Sequence, residues 1–423
     1  MNNSRRSFFR GLITIAGVAA ADRASADQMT HPMPAPANPG QVPPVTGATA
    51  AGTVVPVVTP DLPRLPFEIV GGVKVFNLRA EPVKTEFLPG RPVDAWGFNG
   101  SVPGPTIEVN EGDRVRIILE NRLPEMFAPH WHGLEVPSNM DGVPGISQPP
   151  IKPGESHTYE FTLHQNGTFF YHSHMPMQEM MGMIGLFVVH PAKPHAPRVD
   201  RDFGLILQGW AILPNNTVPN TLAMEFNWLT FNGKSGPATT PLVVKRGERV
   251  RIRLVNLGMD HHPIHLHGHQ FHVTGTEAGR AKGPFTMAEN TVIVGVAQAR
   301  DIEFDAKYVG DWMLHCHLPH HMMNQMVSMV GPMMVPPKGA PMPGHEGHVM
   351  PGQDPSKVPG FPQDMWMPMD ELAGRKPEIL GLPEQWTGAM MGMMTLVRVV
   401  EPELFDRIER LRAEAAKRTE GSR

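Results

Sequence analysis

The sequence predicts an all-β molecule built from two copies of one β-sandwich domain, with a Met- and Pro-rich C-terminal extension and a short terminal helix. Three observations predict it. From Phe67 onward, short stretches of alternating apolar and polar residues are broken by Gly and Pro, as in half-buried strands joined by turns. The 42 Gly and 46 Pro among 423 residues leave few long helical patterns. The first half of the chain also repeats in the second. Residues 111–121 match residues 246–256, and His130-Trp-His132-Gly133 matches His265-Leu-His267-Gly268, both at an offset of 135. Tyr159-Glu-Phe161 and His172-Ser-His174 then match Ile302-Glu-Phe304 and His315-Cys-His317 at an offset of 143. Such ordered self-similarity is the mark of a duplicated domain.

The elements follow in order. Residues 1–26 read as an export signal: Arg5-Arg6 and Phe8, an apolar run from Gly11 to Ala20, then Ala24-Ser25-Ala26. The paired arginines point to the twin-arginine route and a periplasmic product. Residues 27–65, rich in Pro and Ala and almost free of charge, read as a leader. The repeat places domain 1 at 66–195 and domain 2 at 200–338. Residues 339–423 are too few, and too rich in Pro and Met, for a third sandwich. Within them, 390–400 can supply a late strand of domain 2. Leu404, Ile408, Leu411 and Ala415 mark a helix over 401–417, packed on its own body or on a neighbouring subunit. No later segment has the roughly 20-residue apolar run that spans a bilayer. A net charge of −4 without a basic run sets aside a nucleic-acid partner.

The chemistry lies in the histidines and the single cysteine. Four His-x-His pairs occur, His130/His132, His172/His174, His265/His267 and His315/His317, at matched places in the two copies. Residues i and i+2 of a strand face the same side, about 6–7 Å apart, so each pair can serve neighbouring metals rather than chelate one. Eight imidazoles suit a cluster of three metals. Cys316 lies between two of these histidines and has no disulfide partner in the chain. Thiolate, imidazole and a weak axial thioether make a blue-copper site, and Cys316, His321 and Met326 can supply three of its four ligands. By the repeat offsets, His262, Cys316 and His321 fall on Phe127, Ser173 and Gln178 of domain 1. The blue-copper site is therefore expected in domain 2 only.

These motifs resemble the multicopper oxidase family, laccase-like cupredoxins, across roughly 66–335. The resemblance implies Greek-key cupredoxin sandwiches and four coppers per chain. The type 1 copper takes His262, Cys316, His321 and Met326, and the type 2 copper takes His130 and His265. The type 3 pair takes His132, His172, His174, His267, His315 and His317. With two domains, the chain is similar to small laccases in which domain 1 of one subunit meets domain 2 of the next in a homotrimer. Asp141 matches an acid near the type 2 copper, a proton-relay candidate. Many three-domain members carry an acid right after the last type 1 histidine; here that position is Met322.

The activity implied is four one-electron oxidations of a small reducing substrate, Cu(I) or a phenol or aromatic amine, coupled to reduction of O₂ to water. Electrons cross from Cys316 to His315 and His317. Thioethers select Cu(I), so the runs 365–369 and 390–394 suggest cuprous oxidation and a role in copper tolerance. The alternatives are a copper nitrite reductase-like enzyme and a non-catalytic periplasmic copper-binding protein. The first would need its type 1 cysteine in domain 1, where Ser173 stands.

Overall fold

The computed structural model describes residues 54–420, except 176, 214–215, 283–286, 324–365 and 367. The export signal and most of the leader lie outside the described residues. Strands dominate. Domain 1 comprises β2 (Phe67–Val70), β3 (Val73–Glu86), β4 (Pro92–Phe98), β5 (Gly104–Asn110), β6 (Arg114–Asn121), β7 (Pro129–His132), β8 (Ser156–Thr162), β9 (Gly167–Ser173) and β10 (Ile184–His190), preceded by the short β1 (Val57–Val58). One sheet has the order β2-β3-β6-β8 with β4 beside β3, and the other β5-β10-β9-β7. Alternation explains the layering. In β6, Val115, Ile117 and Leu119 are buried while Arg114, Arg116 and Glu120 face outward, as the two-residue period of a strand requires. Phe76, Phe98, Phe127, Trp131 and Tyr171 fill the space between the sheets.

Domain 2 repeats the plan with β11 (Arg201–Trp210), β12 (Trp228–Phe231), β13 (Leu242–Lys245), β14 (Arg249–Asn256), β15 (His262–Leu266), β16 (His272–Thr276), β17 (Gly279–Arg280), β18 (Thr291–Val294), β19 (Gln298–Asp305), β20 (Gly310–Cys316) and β21 (Met394–Val400). Its sheets run β1-β11-β14-β19-β16-β17, with β12 beside β11, and β13-β21-β20-β15-β18. Corresponding strands pair in the same sense. β10 lies parallel to β5 and antiparallel to β9, and β21 lies parallel to β13 and antiparallel to β20.

The late strand expected near the end of the chain is β21, so domain 2 continues well past residue 338. Ile184 pairs with His172, twelve positions earlier, whereas Met394 pairs with His315, seventy-nine positions earlier. The chain between β20 and β21 is thus an insertion of 67 residues relative to domain 1. Its last residues close the core. Met390, Met391, Met393 and Met394 are all buried, and Met393 packs with Cys316, Leu314 and Ile264. The thioethers of this run, expected to hold Cu(I), are therefore packing residues, a use to which flexible methionine is well suited. Of the run 365–369, Met365 and Met367 lie outside the described residues.

Residues 54–65, the end of the expected leader, are part of the fold. β1 runs parallel to β11, and Val57 N–H donates to Glu108 Oε1 of domain 1 at 2.9 Å. Leu62 and Leu65 are buried. Lys376 Nζ, from the insertion, holds this segment through Asp61 Oδ1 at 3.0 Å and also donates to Ala238 O and Thr240 Oγ1. The terminal helix, α1 (Pro402–Glu420), packs on domain 2 as expected, with Phe405 and Ile408 buried against Val243 and Val400. Arg201 and Lys245 lie over the Phe405 ring. No helix among the described residues is long and apolar enough to cross a membrane.

Candidate metal centre

β15 and β20 are neighbours, with Ile264 opposite Cys316 and His265 opposite His315. Because side chains alternate across a strand, Cys316 enters the sandwich core while His315 and His317 face the other way. His262 opens β15, and His321 sits in the short turn Pro319–Met322 that follows β20. The three side chains converge. His262 Nδ1 is 3.1 Å from His321 Nδ1, and Cys316 Sγ is 3.7 Å and 3.4 Å from those two nitrogens. All three residues are almost wholly buried.

Their electrostatics fit a metal. Burial holds His262 down to about 3 and pushes the Cys316 thiol up to about 12, so these two groups are neutral in the absence of a cation. The Nε2 atoms of His262 and His321 have no hydrogen-bond partner among the described residues. A cation at the point of convergence would draw the proton from the thiol and take the facing Nδ1 atoms of both imidazoles, leaving their Nε2 atoms to other partners. Two imidazoles and one thiolate are a soft set suited to copper. Met326, the expected axial ligand, lies outside the described residues. Asp260 Oδ2 lies 3.4 Å from His321 Nε2, and His321 lowers the pKa of that carboxyl.

The backbone around this site is duplicated in domain 1, but the ligands are not. Cys316 N–H donates to Met393 O at 3.0 Å, and Ser173 N–H donates to Met183 O at 3.1 Å. His317 N–H donates to Pro263 O, and His174 N–H to Ala128 O. Phe127 replaces His262 and is fully buried. Domain 1 therefore has the frame of a type 1 site and none of its imidazoles.

The His-x-His pairs form two sets. In domain 1, nitrogens of His130, His132 and His172 all lie within 4.8 Å of one another, and the His174 ring is 5.4 Å from that of His130. In domain 2, His267 Nε2 faces His315 Nε2 at 3.0 Å, and His265 lies 5.5 Å from His317, ring to ring. His130 Nδ1 donates to Asp141 O at 3.0 Å, and His265 Nδ1 donates to Asn290 O at 2.7 Å. His172 and His315 each use Nδ1 on the carbonyl of the next residue, Ser173 O and Cys316 O. Each of these four rings thus keeps Nε2 for another partner, as metal-binding histidines do. Burial depresses His132 and His315 to about 4, which keeps both imidazoles neutral and ready to ligate.

His174 and His317 are exposed. Among the described residues, no ring contact, hydrogen bond or three-residue ligand group combines the two sets. A cleft of about 480 Å³ opens beside His265, lined by His269, His272, Asn290 and Tyr308.

Asp141 stands where the sequence places it, beside the first pair. Its carbonyl is the nearer partner of His130, and its carboxylate Oδ1 lies 3.4 Å from the same nitrogen. Gly142, at φ +89°, leaves no room for a Cβ against Pro129 O of β7, so the turn is pressed onto the strand that carries His130. The sequence reading missed Glu179, whose Oε1 lies 3.0 Å from His172 Nδ1. The repeat could have found it, since the offset of 143 sets Glu179 on Met322, the position where an acid was sought. It also missed Asp260, Asn290 and Thr291, which sit in loops and at a strand start without any motif of their own.

Family models described as multicopper oxidase match residues 79–194 and 213–333. Among curated proteins, Copper resistance protein A of Pseudomonas syringae pv. tomato is 36% identical over 148 residues, 35% of this chain and 24% of that protein. Laccase-2 of Botryotinia fuckeliana is 31% identical over 240 residues, 51% of this chain and 40% of that protein. The chain thus spans less than half the length of either curated relative. Among solved structures, Blue Copper Oxidase from Nitrosomonas europaea aligns with a TM-score of 0.55 and 32% identity, over 59% of this chain and 81% of that one. The two matched segments take in every paired histidine, His262, Cys316 and His321, and the chain belongs to the multicopper oxidase family.

Proposed function

We propose that this protein is a periplasmic oxidase that couples one-electron oxidations of a small donor to reduction of O₂ to water, with four coppers per chain. The observation that carries the reading is the placement of Cys316. Its side chain belongs to the buried trio, and its two sequence neighbours belong to the domain 2 histidine set on the other face of β20. Bound copper would supply the redox chemistry, accepting electrons singly and delivering four to oxygen.

The residues supply the rest. His262, Cys316, His321 and Met326 hold the type 1 ion; His130 and His265 hold type 2; His132, His172, His174, His267, His315 and His317 hold the type 3 pair. The apolar core around Cys316 excludes water. Three consecutive residues, His315 to His317, form the covalent path between the two sites. Asp141, beside His130, passes protons toward the oxygen side.

Exposure of His174 and His317, and the lack of contact between the two sets, support a homotrimer in which domain 1 of one subunit completes domain 2 of the next. Names of relatives and the methionine content favour Cu(I) as the donor, in copper tolerance, with phenols and aromatic amines as the second reading. The purified protein should be blue, trimeric by light scattering, bind four coppers per chain and consume oxygen. One or two coppers per chain and no oxygen uptake would sink the proposal in favour of simple copper binding. Steady-state comparison of Cu(I) with a phenolic donor decides the substrate. Deletion of 340–365 should lower cuprous oxidation and spare phenol oxidation; equal loss of both would count against a dedicated copper role.

A further inference from the structure

The two histidine sets share one backbone frame, but different groups stand behind them. In domain 2 the partners are neutral. His265 Nδ1 meets Asn290 O and Thr291 Oγ1, and His315 Nδ1 meets Cys316 O. In domain 1 the same carbonyl contacts occur, His172 Nδ1 to Ser173 O at 2.8 Å and His130 Nδ1 to Asp141 O at 3.0 Å, and carboxylates are added to them: Glu179 Oε1 is 3.0 Å from His172 Nδ1, and Asp141 Oδ1 is 3.4 Å from His130 Nδ1. Geometry differs in the same sense. Three nitrogens of the domain 1 set lie within 4.8 Å of one another, and no three of the domain 2 set do among the described residues.

A divalent ion on neutral imidazoles carries its charge into a partly desolvated site, which is costly unless opposite charge lies close by. Domain 1 has that charge. A carboxylate behind a ligand imidazole also fixes the ring and raises its basicity. Glu179 fits this role for His172, one of the more buried rings of its set. The equivalent residue in domain 2, Met322, packs instead with Met313, Met390 and Met394. The asymmetry is therefore built into the duplicated position itself.

We propose that the domain 1 histidines form a divalent-cation site in their own right, one that fills without the domain 2 set, with Glu179 as the residue that positions His172. This rests on the copper chemistry proposed above. It assigns the order of loading: the carboxylate-backed half takes its ion first, and the neutral half closes over an ion already held.

The test uses the full chain with Cys316→Ser, which empties the type 1 site. One variant adds His265→Ala and His317→Ala; its mirror adds His130→Ala and His174→Ala. Apoprotein is titrated with Cu²⁺ alone, desalted and assayed for metal, and its mononuclear Cu²⁺ resonance is recorded. The first variant should retain one ion per chain and the mirror none. Glu179→Gln in the first variant should weaken binding about 10- to 100-fold with an unchanged melting temperature, and Glu179→Asp should recover part of the loss. Retention by both variants, by neither, or by the mirror alone overturns the proposal, as does a Glu179→Gln variant that binds normally or loses binding only because it melts. A wild-type protein that takes up no oxygen would defeat the oxidase reading and leave this result standing.

Discussion

Ser173 Oγ donates to Gln178 Oε1 at 2.7 Å, in the place where domain 2 sets Cys316 Sγ 3.4 Å from His321 Nδ1. Gln178 Nε2 in turn donates to Met126 O at 2.9 Å, and Ser173 Oγ accepts from Met175 N–H. Domain 1 thus closes with hydrogen bonds what domain 2 leaves open for a metal. Cys316→Ser should abolish the blue absorbance and remove one copper per chain, leaving the others, with oxygen uptake at background. Ser173→Cys should create no second blue site, because Phe127 and Gln178 offer no imidazole. It should cost about 1–3 kcal/mol by stranding buried polar groups. Absorbance, metal assay and urea denaturation check all three.

Gly392 sits at φ +65°, and a Cβ there would collide with His321 O and come within 2.7 Å of Met323 N. Gly392→Ala should destabilise the fold by about 1–3 kcal/mol and weaken the type 1 copper selectively. A bleached blue band with full retention of the remaining copper is the expected spectrum. Uniform copper loss would contradict it.

Glu303 is fully buried on β19 and lies between Arg251 at 2.8 Å, Arg280 at 2.6 Å and Arg249 at 3.1 Å. Burial alone would raise its pKa, but the arginines, Arg280 foremost, hold it down to about 2, against 4.5 in the unfolded chain. The stability it contributes is therefore present above pH 4.5 and lost as pH falls toward 2. The melting temperature of the apoprotein should drop across that window. Glu303→Gln should cost about 3–5 kcal/mol at neutral pH and flatten the pH profile.

Lys376 reaches across from the insertion to Asp61, a half-buried residue at φ +65° in the segment ahead of domain 1. Lys376→Met leaves the Asp61 carboxylate without its cation and should cost about 1–3 kcal/mol. Limited proteolysis should then cut within 54–65, while Val57, paired with Glu108 on the other side, slows cleavage upstream.

Much of this was legible in the sequence because duplication writes each site twice. The His-x-His spacing, the exclusion of a blue-copper site from domain 1 and the late strand at 394–400 all follow from comparing one half with the other. What has no second copy was harder to read. Residues 54–65 carry Pro and Val without alternation, and their pairing with β11 depends on a strand far along the chain. The run 390–394 reads alike as metal ligand or as core, since thioethers serve both uses, and only burial separates them. Asp141 was read for its carboxylate, whereas a backbone carbonyl, which any residue has, makes the nearer contact to His130.

The insertion between β20 and β21 also bears on when the type 1 pocket can exist. Its floor, the Met393 carbonyl that receives Cys316 N–H, belongs to the chain just before the last strand. Closing a loop of 79 rather than twelve residues adds about 1.6 kcal/mol of chain entropy. Domain 1 can seal its own version early, with Met183 ten residues after Ser173. In domain 2, Cys316 waits for a distant segment to return, so its thiol is among the last groups to be enclosed, and any metal the trio takes would be captured late in folding.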